Sequence, residues 1–164
     1  MNVLVAGVSR IDKEPGRLID RLRAENPGVM IQGVDASAVY GRDHVLGVLD
    51  IALEAMERKV MIANRPEAEV LLRLACTDQI SEAMKRARLK EGEAGCFIAF
   101  SKDAGALEKF GEQLGREFSL DDSVIEQNAR KKKAMAKAIG VSAEIDDEEF
   151  LRLLLERAAI LVKG

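Results

Sequence analysis

Apolar and polar positions change period several times along this chain of 164 residues. Val3 to Val8 is a short β-rich run that ends at Ser9-Arg10, and Pro15 follows where a first helical turn tolerates a missing N–H. Leu18, Ile19 and Leu22 then share one face at spacings of three and four, and Asn26-Pro27-Gly28 closes that helix with turn chemistry. Val29 to Val34 alternates Val29, Ile31 and Gly33 against Met30, Gln32 and Val34, so the opening order is strand, helix, strand.

Asp43 is an N-cap candidate for the next helix, whose stripe is Val45, Val48, Leu49, Ala52 and Met56. Leu46, Ile51 and Leu53 widen its apolar surface, so it is buried deeply or covered on a second side. A short extended link at Val60 to Ala63 leads to Asn64 or Arg65, then Pro66, with Glu67 and Glu69 placed where a helix N-terminus favours negative charge. Thr77 caps a further helix in which Ile80, Ala83, Met84 and Ala87 share a face and Lys85, Arg86, Arg88 and Lys90 are displayed to solvent. After the stop at Glu91-Gly92-Glu93, Gly95 to Phe100 is a bulky apolar run of strand length, read as a central strand. Ser101 is expected to cap the helix carrying Ala104, Leu107, Phe110 and Leu114. The last third reads as helix from about Asp122 to Ala138 with Gly140 just beyond its end, and again from about Asp147 after an Asp146 cap. Periodicity leaves open whether Ala159 to Val162 continues that helix or turns into a strand.

The fold class expected from this order is α/β in the broad sense, more narrowly α+β: a small central mixed or antiparallel sheet flanked by about six to eight helices. One domain over residues 1–164 is the economical organisation, since a chain of this size buries roughly 70% of its unfolded surface. Charged residues of both signs make up 32% of the chain at a net charge of -3, and no apolar run approaches a bilayer span. Met1 to Gly7 reads as a first strand, not a leader peptide, and two isolated cysteines, Cys76 and Cys96, suit a reducing compartment. A cytoplasmic protein with no membrane contact is the expectation. With no Trp, one Tyr and five Phe, a surface of several stacking rings cannot be assembled.

Catalytic chemistry has little to stand on. His44 is the sole histidine, no nucleophile elbow occurs, and His44, Cys76 and Cys96 lie on separate elements without the paired spacing of zinc sites. The run Val3 to Arg10 leads from a strand towards a helix, as in dinucleotide-binding folds, but offers one glycine, Gly7, where that fingerprint needs three. No cofactor and no metal are expected. His44 near a helix start is read first as a buried, hydrogen-bonded residue and only second as a functional one.

Binding is better represented. Arg130, Lys131, Lys132 and Lys133, with Lys137 a turn further on, form the densest basic cluster. Cations late in a helix complement its dipole at about 0.3–1 kcal/mol each, and four neighbouring cations can also track a phosphate backbone. Arg58, Lys59, Arg65, Lys85, Arg86 and Arg88 are a more dispersed basic set near the helix pair that meets at Cys76-Thr77.

One long pattern goes further. Asp35-Ala36, Asp43-His44-Val45-Leu46, Asn64-Arg65, Glu69 to Ala75, Thr77-Asp78-Gln79-Ile80 with Ala83, and the later Ile139-Gly140-Val141-Ser142 and Leu154-Leu155-Glu156-Arg157 resemble, in order and spacing, the KEOPS subunit family that includes the PRPK-binding protein. The resemblance spans roughly residues 28–162 and rests on a pattern of ordinary residues. It implies a small α/β fold with no catalytic centre, serving the synthesis of threonylcarbamoyl-adenosine in tRNA. It also implies docking on the N-lobe of the small kinase/ATPase subunit of that complex and, as in archaeal members, help in capturing tRNA by its 3′ CCA end. The implied tRNA-facing positions are Thr77, Gln79 and Ile80, to which the basic residues Lys85, Arg86, Arg130, Lys131, Lys132 and Lys133 are added as phosphate contacts. Where the family commonly reads Gly-Thr-Arg-Gln-Ile, this chain has Cys76-Thr77-Asp78-Gln79-Ile80, an anion in place of a cation. Two other readings stand beside this one: a small-molecule or nucleotide-binding α/β protein using the Gly7 turn, and a homo-oligomeric scaffold, such as a homodimer, built on the wide apolar helix faces.

Overall fold

Residues 1–163 are described by a computed structural model. Three strands, β1 (Asn2–Val8), β2 (Met30–Asp35) and β3 (Gly95–Ser101), form an antiparallel sheet in the order β1-β3-β2. Seven α-helices accompany it: α1 (Pro15–Glu25), α2 (Arg42–Glu57), α3 (Pro66–Leu74), α4 (Ile80–Ala87), α5 (Ala104–Glu117), α6 (Ala129–Ile139) and α7 (Asp147–Ala159). This is an α+β fold, as the pattern predicts, and close contacts divide it into two units: Met1–Ala36 with Arg88–Ile125, and Ser37–Ala87 with 126–163.

The first unit holds the sheet. β3 is its central strand and is buried at all of its positions, because both neighbours hydrogen-bond to it; that is why its sequence is an unbroken small and apolar run instead of an alternating one. Val8 of β1, Ile31 of β2 and Phe97 and Ala99 of β3 form one core with Leu18 and Leu22 of α1 and Leu107, Phe110 and Leu114 of α5. On the β2 edge, Ile31 O accepts both Nε and Nη2 of Arg23, at 3.0 and 2.8 Å, which occupies an acceptor that a foreign strand would use. On the β1 edge, residues 119–122 run alongside: Ser9 N donates to Ser119 O, Asp121 N to Gly7 O and Gly7 N to Asp122 Oδ1. A Cβ on Gly7 would lie 2.5 Å from Asp121 O. The glycine is therefore required by the chain's own strap, which occupies the ground that a nucleotide-binding reading of the Gly7 turn needs.

The second unit is helical, with α2 packed on α3 and α7, and α3 also on α4 and α7. α2 buries His44, Val45, Val48, Leu49, Ala52 and Ala55, the predicted stripe shifted slightly towards its start. At the centre lies a buried ion pair one helical turn apart on α3. Arg73 Nε and Nη2 both reach Glu69 Oε1 at 2.9 Å, Arg73 Nη1 donates to Ala158 O at 2.7 Å, and Glu69 accepts from Ile62 N and Ala63 N. Glu69 thus ties the loop before α3 to the last turn of α7 and does not act as an exposed partner of the helix dipole, the role its position suggests.

Helix ends follow local chemistry, with some differences from the sequence expectation. Asp146 begins a helix and Gly140 ends one as predicted: Asp146 Oδ1 accepts from Glu149 N at the start of α7, and Gly140 is left-handed at φ 73° after α6. Asp43, expected as a cap, lies within the first turn of α2, and Gly41 holds the cap position at φ 89°, a conformation cheap only for glycine. Asp103 caps α5 by accepting from Ala106 N, while Ser101, the expected cap, accepts from Asp103 N and donates to Gly28 O. The helix predicted over 122–138 is a 3-10 turn at Asp122–Ile125 followed by α6, because Asn128 Oδ1 accepts from Lys131 N and starts a new helix there. α7 ends at Ala159, and 160–162 form no strand.

Candidate functional site

α3 ends at Leu74, and the chain reverses into α4 through Ala75 to Gln79. Cys76 takes the left-handed conformation at φ 54°, an uncommon state for a residue with a Cβ, and accounts physically for the glycine common at this place in the resembling family. Its side chain packs against the cluster of Tyr40, Ala136, Phe150 and Leu154 and its Sγ donates to Leu154 O, so burial pushes the thiol up to about 11 despite Arg86 and Arg157 nearby. A thiol held protonated in this way is a packing group, not a nucleophile.

Beyond Cys76 the loop is solvent-facing. Thr77 Oγ1 accepts from Gln79 N at 3.1 Å, and Gln79 O accepts from Ala83 N, so Thr77 forms a turn before the helix while Gln79 takes the cap position expected for Thr77. Gln79 Nε2 donates to Asp78 Oδ1 at 3.2 Å. Ile80 and Met84, one turn apart, are 52% and 43% exposed while Ala83 and Ala87 carry the buried face. Lys85 is exposed beside Glu82, at 3.7 Å. Arg86 is more committed, since its Nη1 donates to Ala75 O at 3.0 Å and braces the end of α3.

On α6 the four adjacent cations part company. Arg130, Lys133 and Lys137 are exposed, and at three and four residues apart they fall on one face. Lys131 is buried, with its Nζ on Glu126 O at 2.9 Å. Lys132 reaches Ile145 O and Asp147 Oδ1, and Asp147 in turn accepts from Tyr40 OH at 2.5 Å. Tyr40 and Lys132 together hold the Asp147 carboxyl below its ordinary range. The sequence-predicted residues therefore form two groups, Thr77 to Arg86 and the α6 stripe, with Lys131 and Lys132 serving as internal fastenings. Lys137, named with the basic cluster, lies on the second of these surfaces, and Met84 belongs to the first although it was read as part of a shared apolar face and not as a contact; its i, i+4 spacing to Ile80 was the available signal.

His44 is fully buried in the second unit, near Lys131. Its Nδ1 accepts from Tyr40 N at 3.0 Å, which places the proton on Nε2, the one buried side-chain nitrogen or oxygen without a hydrogen-bond partner among the described residues. Burial, with a smaller push from the Lys131 charge, lowers its pKa from 6.5 to about 4. The unfolded chain therefore takes up a proton that the folded chain refuses, so the stabilisation is complete above pH 6.5 and is lost as pH falls towards 4. The expected loss is roughly 3 kcal/mol. Urea unfolding between pH 7.5 and 4.5 checks this, and His44→Asn, which can still accept from Tyr40 N but does not titrate, should show a correspondingly flatter profile.

No group of three or more metal-ligating side chains occurs among the described residues, and no helix there is long and apolar enough to cross a membrane. Within the α+β class, the candidate side chains that remain exposed lie on α4, on α6 and on the loop between α3 and α4. More specifically, the chain belongs to the family described as kinase binding protein CGI-121, whose model matches residues 10–160. No curated protein matches the chain.

Proposed function

We propose that this protein is a non-catalytic accessory subunit of the KEOPS complex, docking on the small kinase/ATPase subunit and helping to recruit tRNA through its 3′ CCA end for threonylcarbamoyl-adenosine synthesis. The observation that carries the reading is membership of the kinase-binding family over nearly the whole chain. The RNA half is supported by two exposed basic features in a chain of net negative charge, Lys85 beside the Thr77 to Ile80 loop and the Arg130, Lys133 and Lys137 stripe. In this reading all 164 residues act as one cytoplasmic domain, and the role in synthesis is tethering: holding the tRNA end raises the local concentration of the anticodon-loop adenosine at a separate catalytic subunit.

Gel shifts with intact tRNA and with tRNA lacking the CCA end test this half directly; the intact molecule should bind more tightly, and equal binding would remove the CCA contact from the account. Charge reversal at Arg130, Lys133 and Lys137 should weaken tRNA binding by at least about tenfold and reduce the log–log salt slope by about two. Unchanged affinity would return that stripe to a purely solvated role. Lys131 and Lys132 are unsuitable for this experiment, since their internal bonds make reversal a test of folding.

A further inference from the structure

Ile80 and Met84 form an aliphatic pair one turn apart on α4, 52% and 43% exposed, although the helix already has its buried face in Ala83 and Ala87. Around the helix, at about 100° per residue, the next positions outward are Ser81 and Lys85, both exposed. Charge is graded along this face. Asp78 stands before the aliphatic pair, where Gln79 Nε2 donates to its Oδ1 at 3.2 Å, and Lys85 follows the pair, tied only loosely to Glu82 at 3.7 Å. An anion at one end and a cation at the other make the face complementary to itself turned end for end. Recruitment of a phosphate backbone accounts for Lys85 but not for Asp78, because a carboxylate beside phosphate is repulsive.

We propose that this face of α4 is the contact surface of a weak, two-fold symmetric pair formed by two copies of this chain. The two helices run antiparallel, so that Ile80 of each lies against Met84 of the other and their dipoles are favourably opposed. The same register brings Lys85 of each copy alongside Asp78 and Gln79 of the other, and one set of residues makes every contact twice, as an isologous interface requires. α4 has eight residues, so the contact falls well below the area of a stable dimer, and a dissociation constant on the order of 100 µM is expected. At that strength the pair forms where the chain is concentrated and gives way to any tighter ligand of the same face. An arginine in place of Asp78 would set cation against cation at both ends, so the pairing depends on this chain's own loop sequence. The proposal does not depend on tRNA recruitment.

Sedimentation equilibrium of the purified chain at one fixed, low salt concentration is the test. The native chain should pass from monomer towards dimer between about 10 µM and 1 mM. Asp78→Lys leaves only cations at the two ends of the face and Lys85→Glu only anions, so each variant alone should associate at least about tenfold more weakly. An equimolar mixture of the two should associate again, since each supplies the charge the other lacks, and the double variant Asp78→Lys with Lys85→Glu should pair as the native chain does. Both positions are exposed, so the exchanges leave the core untouched. Ile80→Ser should weaken the pair in every background. A native chain that stays monomeric up to about 1 mM, or single variants whose mixture associates no more than either alone, overturns the proposal. If the native chain is monomeric and Ile80→Ser instead weakens binding of tRNA or of the kinase subunit, that partner covers the face and the proposal fails, while the accessory role stands.

Discussion

Arg73→Met should cost about 3–5 kcal/mol of folding free energy, among the largest losses expected from any single substitution in this chain. The reason is not the strength of the salt bridge, since two charges taken out of water gain little net stability from meeting each other. It is what remains. Glu69 is wholly buried and Arg73 nearly so, and without Arg73 the carboxylate keeps only the two backbone N–H groups of Ile62 and Ala63 to offset its lost hydration. Ala158 O loses its donor as well. The double variant Glu69→Gln with Arg73→Met removes both charges and keeps an acceptor for the loop, so it should recover at least half of the loss. Urea unfolding of the three proteins gives the comparison; equal stability of single and double variants would show that the charge left behind is not the dominant cost.

Gly7→Ala should destabilise by about 2–3 kcal/mol, because the atom nearest the new methyl group is a backbone oxygen, which cannot swing away as a side chain can. Asp121 O would lie at 2.5 Å and Val124 Cγ2 at 2.9 Å, and the strap is itself tied to Gly7 through both Asp121 N and Asp122 Oδ1. Gly111→Ala on α5 is the matched control. There the contact, 2.9 Å, is the end of the Leu4 side chain, and alanine is the better helix former by roughly 1 kcal/mol, so a near-neutral result is expected. The same geometry predicts no thermal shift with nucleotides, whereas a ligand present at about 100 times its Kd would add roughly 2.7 kcal/mol.

The strands and most helices were legible because their signals are local. β3 could be read as central from its continuous apolar run, and the N-cap of α7 and the glycine after α6 from single residues whose backbone chemistry leaves few alternatives. The break between the 3-10 turn and α6 was present in the sequence at Asn128, a good cap that the surrounding periodicity outweighed. Glu69 shows what could not be read. Its spacing to Arg73 fits an exposed i, i+4 pair as well as a buried one, and the difference lies in Ala158, 89 positions away in sequence from Glu69, together with the loop that folds back over it. The basic cluster failed to behave as a cluster for a related reason: four consecutive cations on a helix span more than one face, so two were drawn inwards to carbonyl and carboxylate oxygens that only tertiary packing supplies. In the Thr77 to Ile80 loop, the identity of the candidate residues came from sequence, while their exposure, the Asp78–Gln79 bond and the left-handed Cys76 that presents them came from the structure.

The most direct measurement is calorimetric titration of the purified chain into the isolated small kinase/ATPase subunit of KEOPS. A saturable complex with a defined stoichiometry is the predicted result, formed without tRNA or the other subunits. Heats of dilution alone, with both proteins shown to be folded under the same conditions, would contradict the account at its base.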